Sequence, residues 1–509
     1  LENYTLHLVA DRFPVNAFMP LLGVGEISAT LDADGHGYNP FAKTMRLDAT
    51  LDVTKAIYQK YDYADISANA HLADGHADIR LESKNPNAVL TLDADGNLDG
   101  DTYSWTASLD GRHIDLQALS LSPTKAVLAT TLDATVAITP KDNEIGAKLT
   151  LNSLTYDTDP GTTVLKNIVA RLNANDSVTN ISAGNGDLYA FLSSESSLDT
   201  IMARMTGLSG VIDNEIATRT INVERIQQAL PPFNLDITAG SDNLITDMLA
   251  DSKTTFSSLH ITAANDSSLS LSAALLGLGT PSMRLDTITF DLAQYADKLI
   301  FDGRVENRPG TFDEWAHVRL DGYMADNTLG IQINQQNIQG KEGYDLGLKA
   351  ELNDSTLRLM LDPIDPTIAY MPWTVNDDNF VTWSFAHKHL DANLHMHSDK
   401  SSLAIYTDHV EGDDDHQEAL VVNISDINIS DWIRLNPFAP PITGKLSADI
   451  QVSGEGTDIN GDGTITLSDF FYDRQKVGDI RTDLKVSTDL AGRIRAGADL
   501  MIDGQKTIT

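Results

Sequence analysis

The residues of this sequence best suited to bind a metal ion are oxygen-bearing side chains near its end. Asp458, Asn460, Asp462 and Asp469 occupy positions 1, 3, 5 and 12 of a segment that has Gly463 at position 6. This spacing is typical of the calcium loops of EF-hand and dockerin modules. Those loops lie between helices, whereas the residues before this segment alternate like a strand. An Asx-rich hairpin turn is therefore the competing interpretation.

Four histidines form a second candidate metal site. A hairpin that turns near Ala392 would place His389 opposite His395 and His387 opposite His397, all on one face of a sheet. Imidazoles in that arrangement could bind zinc or copper. The alternative is a metal-free ladder of histidines, because a spacing of two residues arises easily by chance and no residue that would orient the rings is evident.

The sequence shows no enzyme active site. It contains no G-x-S-x-G nucleophile elbow, no P-loop and no H-E-x-x-H zinc motif. With 73 acidic residues, no individual pair of carboxylates indicates catalysis. We therefore predict a protein that is not an enzyme and that needs no cofactor.

Composition limits the remaining functions. The net charge of −37 disfavours binding to nucleic acid or to an anionic membrane surface, because both would repel the chain. The absence of cysteine excludes a disulfide framework and cysteine–zinc sites. Neither a run of 18 apolar residues nor a signal peptide is evident. We expect the chain to be a segment of a longer protein, with any membrane anchor outside it.

Alternation of apolar and polar residues dominates the chain and predicts strands with one apolar face. Asp-Gly, Asn-Asp and Asp-Asn turns recur between these segments and favour antiparallel connections. Aromatic residues are only 6% of the chain, and an open apolar trough needs less aromatic filling than a closed core. We predict that the following residues line such a groove: Ile27, Ala29, Leu31, Ala33, Leu47, Ala49, Leu51, Val53, Ile66, Ala68, Leu72, Ile79, Leu81, Leu446, Ala448, Ile450 and Val452.

The predicted fold is mainly β: an elongated, curved antiparallel sheet that forms an open, continuous and unfilled hydrophobic groove. One region departs from it, because apolar residues between Leu198 and Ile216 recur at intervals of three and four, as in a helix. Such an insert would cover an edge, plug a face or act as a lid. The predicted organisation is a β-groove segment at 1–195, a helical insert at 196–252, a second β-groove segment at 253–434 and a further strand module at 435–509.

That last module repeats the beginning of the chain. Phe13-Pro14 leads to Gly25 and then to Ile27-Ser28-Ala29. Near the end, Pro437-Phe438 leads to Gly444 and then to Leu446-Ser447-Ala448, an offset of 419 positions (446 − 27). A chain that rebuilds one strand-and-turn unit is an array of repeats.

The repeated module resembles the TamB family of translocation and assembly module proteins, within the wider AsmA-like group. The resemblance rests on the Pro/Phe lead-in, the Gly-x-Leu/Ile-Ser-Ala strand and its Gly-x-Gly end, the Asp65-Ile66 and Asp479-Ile480 steps, and the helical block that ends at Pro231. The resemblance covers essentially the whole chain. It lies in the general pattern of the repeats and not in one unique motif.

The resemblance implies a periplasmic protein that is anchored in the inner membrane by a segment not present here. It implies a β-taco groove that carries phospholipid acyl chains between the membranes and supports outer-membrane protein assembly. A barrel partner in the outer membrane would bind regions outside this chain. Family members have no catalytic residues. The competing function is a structural or adhesive surface β-repeat protein with a filled core and calcium-braced turns.

Overall fold

The computed structural model is mainly β: strands make up 66% of the residues and helices 9%. The sheet is open and antiparallel and does not close on itself, as the sequence predicts. The structure describes residues 3–18, 24–58, 61–157, 161–165, 167–250, 252–281, 283–311, 315–386, 388–409, 418–433, 440–455, 458–488 and 493–508.

The chain divides into two compact units. The first comprises Leu1–Met205, Pro231–Asp266 and Ala273–Ser282, and the second comprises Thr206–Leu230, Ser267–Ser272 and Met283–Thr509. The strands of the first unit are β1 Asn3–Pro14, β2 Val24–His36, β3 Arg46–Tyr58, β4 Tyr61–Asp62, β5 Ile66–Ala73, β6 His76–Asn85, β7 Ala88–Asn97, β8 Tyr103–Asp115, β9 Val127–Thr139, β10 Glu144–Asp157, β11 Thr162–Leu165, β12 Ile168–Ala174, β13 Thr179–Asn185, β14 Leu188–Ser194, β15 Phe233–Ala239 and β16 Ser258–Asn265.

Strand β17, Leu269–Gly279, has residues in both units. The strands of the second unit are β18 Arg284–Tyr295, β19 Lys298–Glu306, β20 His317–Ala325, β21 Thr328–Gln336, β22 Glu342–Leu352, β23 Thr356–Leu361, β24 Thr367–Ile368, β25 Met371–Pro372, β26 Thr374–Val375, β27 Phe380–Ser384, β28 His389–His397, β29 Ser402–His409, β30 Glu418–Asn428, β31 Ile442–Glu455, β32 Asp458–Tyr472, β33 Gln475–Thr488, β34 Ile494–Ile502 and β35 Gln505–Ile508. The helices are α1 Val15–Phe18, α2 Leu198–Thr218, α3 Val223–Ala229, α4 Leu244–Leu249 and α5 Ile429–Ile433.

Strand β3 shows how the alternation of the sequence becomes a two-sided sheet. Its apolar residues from Leu47 to Val53 are half-buried, while the polar residues between them are exposed. The strand pairs antiparallel with β2 on one side and with β5 on the other. Because side chains alternate across a pleated strand, this register places the apolar residues of all three strands on one face.

The helical segment predicted between 196 and 250 is present, and it contains a strand as well. Helices α2, α3 and α4 account for most of it, and Asn243 caps α4 by accepting hydrogen bonds from the N–H groups of Ile245 and Thr246. Between α3 and α4, β15 pairs with β14 and β16 and continues the sheet of the first unit. None of the described helices has the length and apolar content that crossing a membrane requires.

The repeat seen in the sequence is a repeat of backbone geometry. In the first copy, β1 bulges at Arg12, which has φ 52° and donates its N–H to Ser28 Oγ over 2.9 Å. In the second copy, β30 bulges at Asp426, which has φ 50° and donates its N–H to Ser447 Oγ over 3.2 Å. The serine of the Ser-Ala step therefore satisfies the backbone donor that each bulge leaves outside the strand ladder.

We expect Ser28→Ala and Ser447→Ala each to destabilise their module by about 1 kcal/mol, the usual worth of such a hydrogen bond. Amide hydrogen exchange at Arg12 and at Asp426 measures the effect residue by residue. Ser108→Ala, on an exposed strand position, is the matched control and should leave both amides unchanged. Equal protection of these amides in the parent chain and in both variants would contradict the role given to the serines.

Candidate functional site: the apolar face of the sheet

Two rows of apolar side chains cross the first unit from strand to strand. In each row, every residue lies directly opposite the next in the pairing register. The leucine row consists of Leu8, Leu31, Leu51, Ala68, Leu81, Leu92, Leu109, Leu132, Leu151 and Ile168. The alanine row consists of Leu6, Ala33, Ala49, Ala70, Ile79, Ala94, Ala107, Ala134, Leu149, Ala170, Ala183, Ala190, Ile237 and Ile261.

The two rows are not covered by a second layer of side chains. Every member is half-buried or exposed, and Ile79 keeps 37% of its surface accessible. All groove residues predicted on β2, β3, β5 and β6 lie on this face. Of those, Leu72 is buried, in a small cluster with Met45, Ala77 and Leu98. The face is therefore an apolar surface open to solvent along most of the described strands of this unit.

The second unit carries equivalent rows, and the predicted residues of β31 belong to them. Ile450 lies between Val422 and Gly463 in the register, and Ala448 lies between Ile424 and Ile465. The row through Ile450 continues to Leu484 and Ala498. Leu446 and Val452 occupy the corresponding positions toward the two ends of the same strand.

Part of the apolar face in the second unit is filled by the protein itself, so the prediction of an unfilled groove is wrong there. Two aromatic rings, those of Trp373 and Trp432, meet edge to face with centroids 5.9 Å apart. Around them lies a buried cluster, here called the Trp373 cluster, that consists of Tyr344, Ile368, Trp373, Val375, Met396 and Ile427. Leu361, Leu403 and Leu446 pack against this cluster. Elsewhere on the face, Leu348 keeps 39% of its surface accessible.

The filling follows from an interruption in the sheet that the alternation did not reveal. After β23, the two-residue strands β24 and β26 pair with β22 and β28, and the chain between them carries Trp373 onto the apolar face. A signal was present in the composition, because four of the five tryptophans lie between residues 315 and 432. Aromatic residues supply the volume that a closed core needs, so this concentration indicates local filling.

The candidate calcium loop does not form. Asp458–Tyr472 is a single strand, β32, paired with β31 on one side and β33 on the other. At about 3.3 Å per residue, an extended segment holds the Cα atoms of Asp458 and Asp469 more than about 30 Å apart. The competing interpretation as a hairpin turn is also wrong for this segment, because the strand runs through it.

The histidine site is not assembled either. The strand β28 contains His389, His395 and His397, and no hairpin turns at Ala392. His389 pairs with Ser384, His395 with Ala404 and His397 with Ser402, so none of the three described histidines of this group lies opposite another. The ring of His395 stacks on Tyr406 at 5.2 Å. His387 lies outside the described residues.

The polar face of the first unit brings together a different set of ligand atoms. His76 Nε2 lies 3.0 Å from a carboxylate oxygen of Asp95 and 3.8 Å from one of Asp78. Among the described residues, these three side chains form the group close enough to share a metal ion, and all three are exposed. They adjoin a depression of about 640 Å³ on strands β3 and β5 to β9, which is lined by charged, amide and hydroxyl residues and also by alanine-row residues such as Ala49 and Ala94.

Elsewhere, strong electrostatic interactions brace connections between strands. The Arg308 guanidinium donates to Asp286 over 3.0 and 3.2 Å, and its backbone N–H donates over 2.7 Å. These bonds, led by those of the guanidinium, hold the pKa of Asp286 well below its usual range. Thr311 donates to the same carboxylate. The interaction fixes the chain after β19 and brings no reactive groups together.

No family model, no curated protein and no solved structure matches this chain.

Proposed function

We propose that the chain is a segment of a TamB-like bridge protein whose apolar sheet face holds the acyl chains of phospholipids during their transfer between membranes. The strongest support for this function is the alignment of apolar residues into continuous rows. In the first unit, the leucine row includes ten residues on successive paired strands. An exposed apolar surface of that extent is rare on a soluble protein and marks a binding surface.

The dimensions of the sheet fit acyl chains. Neighbouring strands are about 4.8 Å apart, so each row offers a methyl or methylene group at that interval. Burial of a methylene group contributes about 0.8 kcal/mol. Because successive positions of a row are chemically similar, an acyl chain that moves by one strand exchanges one set of contacts for an equivalent set. Movement along a row then requires no deep barrier to be crossed.

The polar face and the charge of the chain suit a protein that works in water. The strands of the first unit alternate exposed Asp, Thr, His and Ser residues with the apolar rows. The net charge of −37 keeps copies of such a sheet apart. By the resemblance of the repeated module, we place the protein in the periplasm, anchored in the inner membrane outside this chain, with a barrel partner in the outer membrane.

The Trp373 cluster limits where lipid can bind in the second unit. Leu403 and Leu446 lie in neighbouring rows and both pack against the Trp373 cluster, so acyl chains have access only to the uncovered part of the face. We expect binding to be strongest in the first unit, along the leucine and alanine rows.

Mass spectrometry of organic extracts tests the proposal. The chain, produced in a bacterial envelope and purified without detergent, should carry phospholipid in at least stoichiometric amounts. An extract free of phospholipid, from protein that remains β-rich by circular dichroism, would contradict it. The alternative, a structural or adhesive surface β-repeat protein with a filled core and calcium-braced turns, predicts no co-purifying lipid.

A further inference from the structure

Helix α2 carries a stripe of exposed apolar residues that the sheet does not use. Met202, Met205, Ile212 and Ile216 keep between 41% and 71% of their surface accessible. With Leu198 and Ser209, they occur at intervals of four, three, four, three and four residues. This is the a/d pattern of a heptad repeat, which forms a straight seam when two helices supercoil.

The orientation of the seam is fixed because the helix is held through another side. The buried carboxylate of Glu215 accepts hydrogen bonds from Thr220 Oγ1 over 2.9 Å, from the Asn222 N–H over 2.9 Å and from Arg225 Nη1 over 3.2 Å. Just after the helix, Arg219 donates to the Asp354 carbonyl over 2.7 Å and lies over the ring of Phe385. Turning the seam inward would therefore break the hydrogen bonds of the buried Glu215 carboxylate and the contacts of Arg219 with Asp354 and Phe385.

The heptad spacing indicates that the partner of this seam is a helix. A lipid surface requires a broad apolar face with cationic flanks, whereas this seam is narrow and its exposed flank carries Asp199 and Asp213. Both carboxylates occupy e positions, where coiled coils place the charges that choose a partner. The partner helix should therefore carry lysine or arginine beside its apolar residues.

A second copy of α2 lacks those cations. In an antiparallel pair, Met202 would face Ile212 of the other copy and Met205 would face Ser209, which is sterically suitable. The same pairing brings Asp199 beside Asp213 of the other copy on that flank, and each chain has a net charge of −37. Like charges in such positions disfavour association.

We propose that the α2 seam is a docking site for a basic amphipathic helix of a partner protein. The partner's apolar a and d residues pack on Met202, Met205, Ile212 and Ile216, and its flanking cations pair with Asp199 and Asp213. This interaction is independent of lipid binding, because its residues belong to neither the leucine row nor the alanine row.

Two synthetic helical peptides of about the length of α2, with leucine at a and d, test the proposal. One has lysine at e and g, and the other has glutamate there. Fluorescence anisotropy with the full chain at about 0.15 M salt, where long-range charge attraction is screened, measures binding. We expect the lysine peptide to bind, the Ile212→Ser/Ile216→Ser chain to bind it at least tenfold more weakly, and Asp199→Lys/Asp213→Lys to reverse the preference toward the glutamate peptide.

Met248→Ser, at an exposed position of α4, is the matched control and should bind like the parent chain. Equal binding of the lysine peptide to the Ile212→Ser/Ile216→Ser chain would overturn the proposal, as would binding of neither peptide. Self-association of the parent chain that the serine variant abolishes would also overturn it, in favour of a second copy. Because Asp199 and Asp213 are exposed, the charge-reversed chain keeps the test valid if the serine variant loses helix.

Discussion

Leu51→Asp should reduce the amount of phospholipid bound to the first unit. Ile450→Asp should reduce the amount bound along the row of the second unit that contains Ile450. Leu51 lies in the leucine row between Leu31 and Ala68. A carboxylate there removes at least two methylene contacts and must be desolvated wherever an acyl chain covers it. At about 0.8 kcal/mol for each lost methylene contact, occupancy should fall by at least about tenfold. Lipid extraction followed by mass spectrometry measures the ratio of lipid to protein.

The neighbouring residues provide the control for this prediction. Thr50 and Gln451 are exposed on the polar face, one position from the substituted residues. Thr50→Asp and Gln451→Asp introduce the same charge and should leave lipid occupancy unchanged. Equal loss of lipid in the two pairs of variants would mean that net charge, and not the apolar row, controls binding.

Trp373→Ala should destabilise the second unit by about 3–5 kcal/mol, the usual cost of truncating a fully buried aromatic residue. Trp373 is only 2% exposed and joins residues of β22, β28 and β30 in one cluster. Trp373→Phe should cost less, because the indole N–H of Trp373 has no hydrogen-bond acceptor among the described residues and the replacement loses only packing. Urea unfolding measures the change in free energy, and hydrogen exchange of β22 and β28 locates it.

Trp383→Ala is the matched control, since this tryptophan lies in the same sheet but keeps 38% of its surface accessible. Its truncation should cost less than half as much as that of Trp373. A similar loss for both substitutions would show that the Trp373 cluster is not the core of this region.

Alternation was sufficient to predict the sheet, because the period-two pattern recurs on both sides of the helical region and strands depend on that local pattern. The repeated module could also be recognised from the sequence, and the bulges that its two copies share at Arg12 and Asp426 explain the repeat in structural terms. The helix at Leu198–Thr218 followed from its spacing of three and four residues. These features depend on near neighbours in the chain.

The errors concern pairings between distant residues. Nothing local places Trp373 beside Trp432, or ends the strand pairing of β23 early enough for β24 to pair with β22. The calcium loop does not form because pairing with β31 and β33 holds its residues in an extended conformation. The strand pairing on both sides is stronger than the turn preference of Asn460 and Gly463. The histidine site does not form for a related reason, because strand β28 continues through Ala392 and separates His389 from His395 along one strand.

Site-specific photocross-linking along β3 tests the central claim most directly. A benzophenone amino acid placed in turn at each position from Arg46 to Val53 samples both faces of one strand. The account predicts phospholipid adducts at Leu47, Ala49, Leu51 and Val53 and none at the other four positions, Arg46, Asp48, Thr50 and Asp52. Adducts without this alternation, or adducts at the polar positions alone, would contradict the claim that the apolar face holds the lipid.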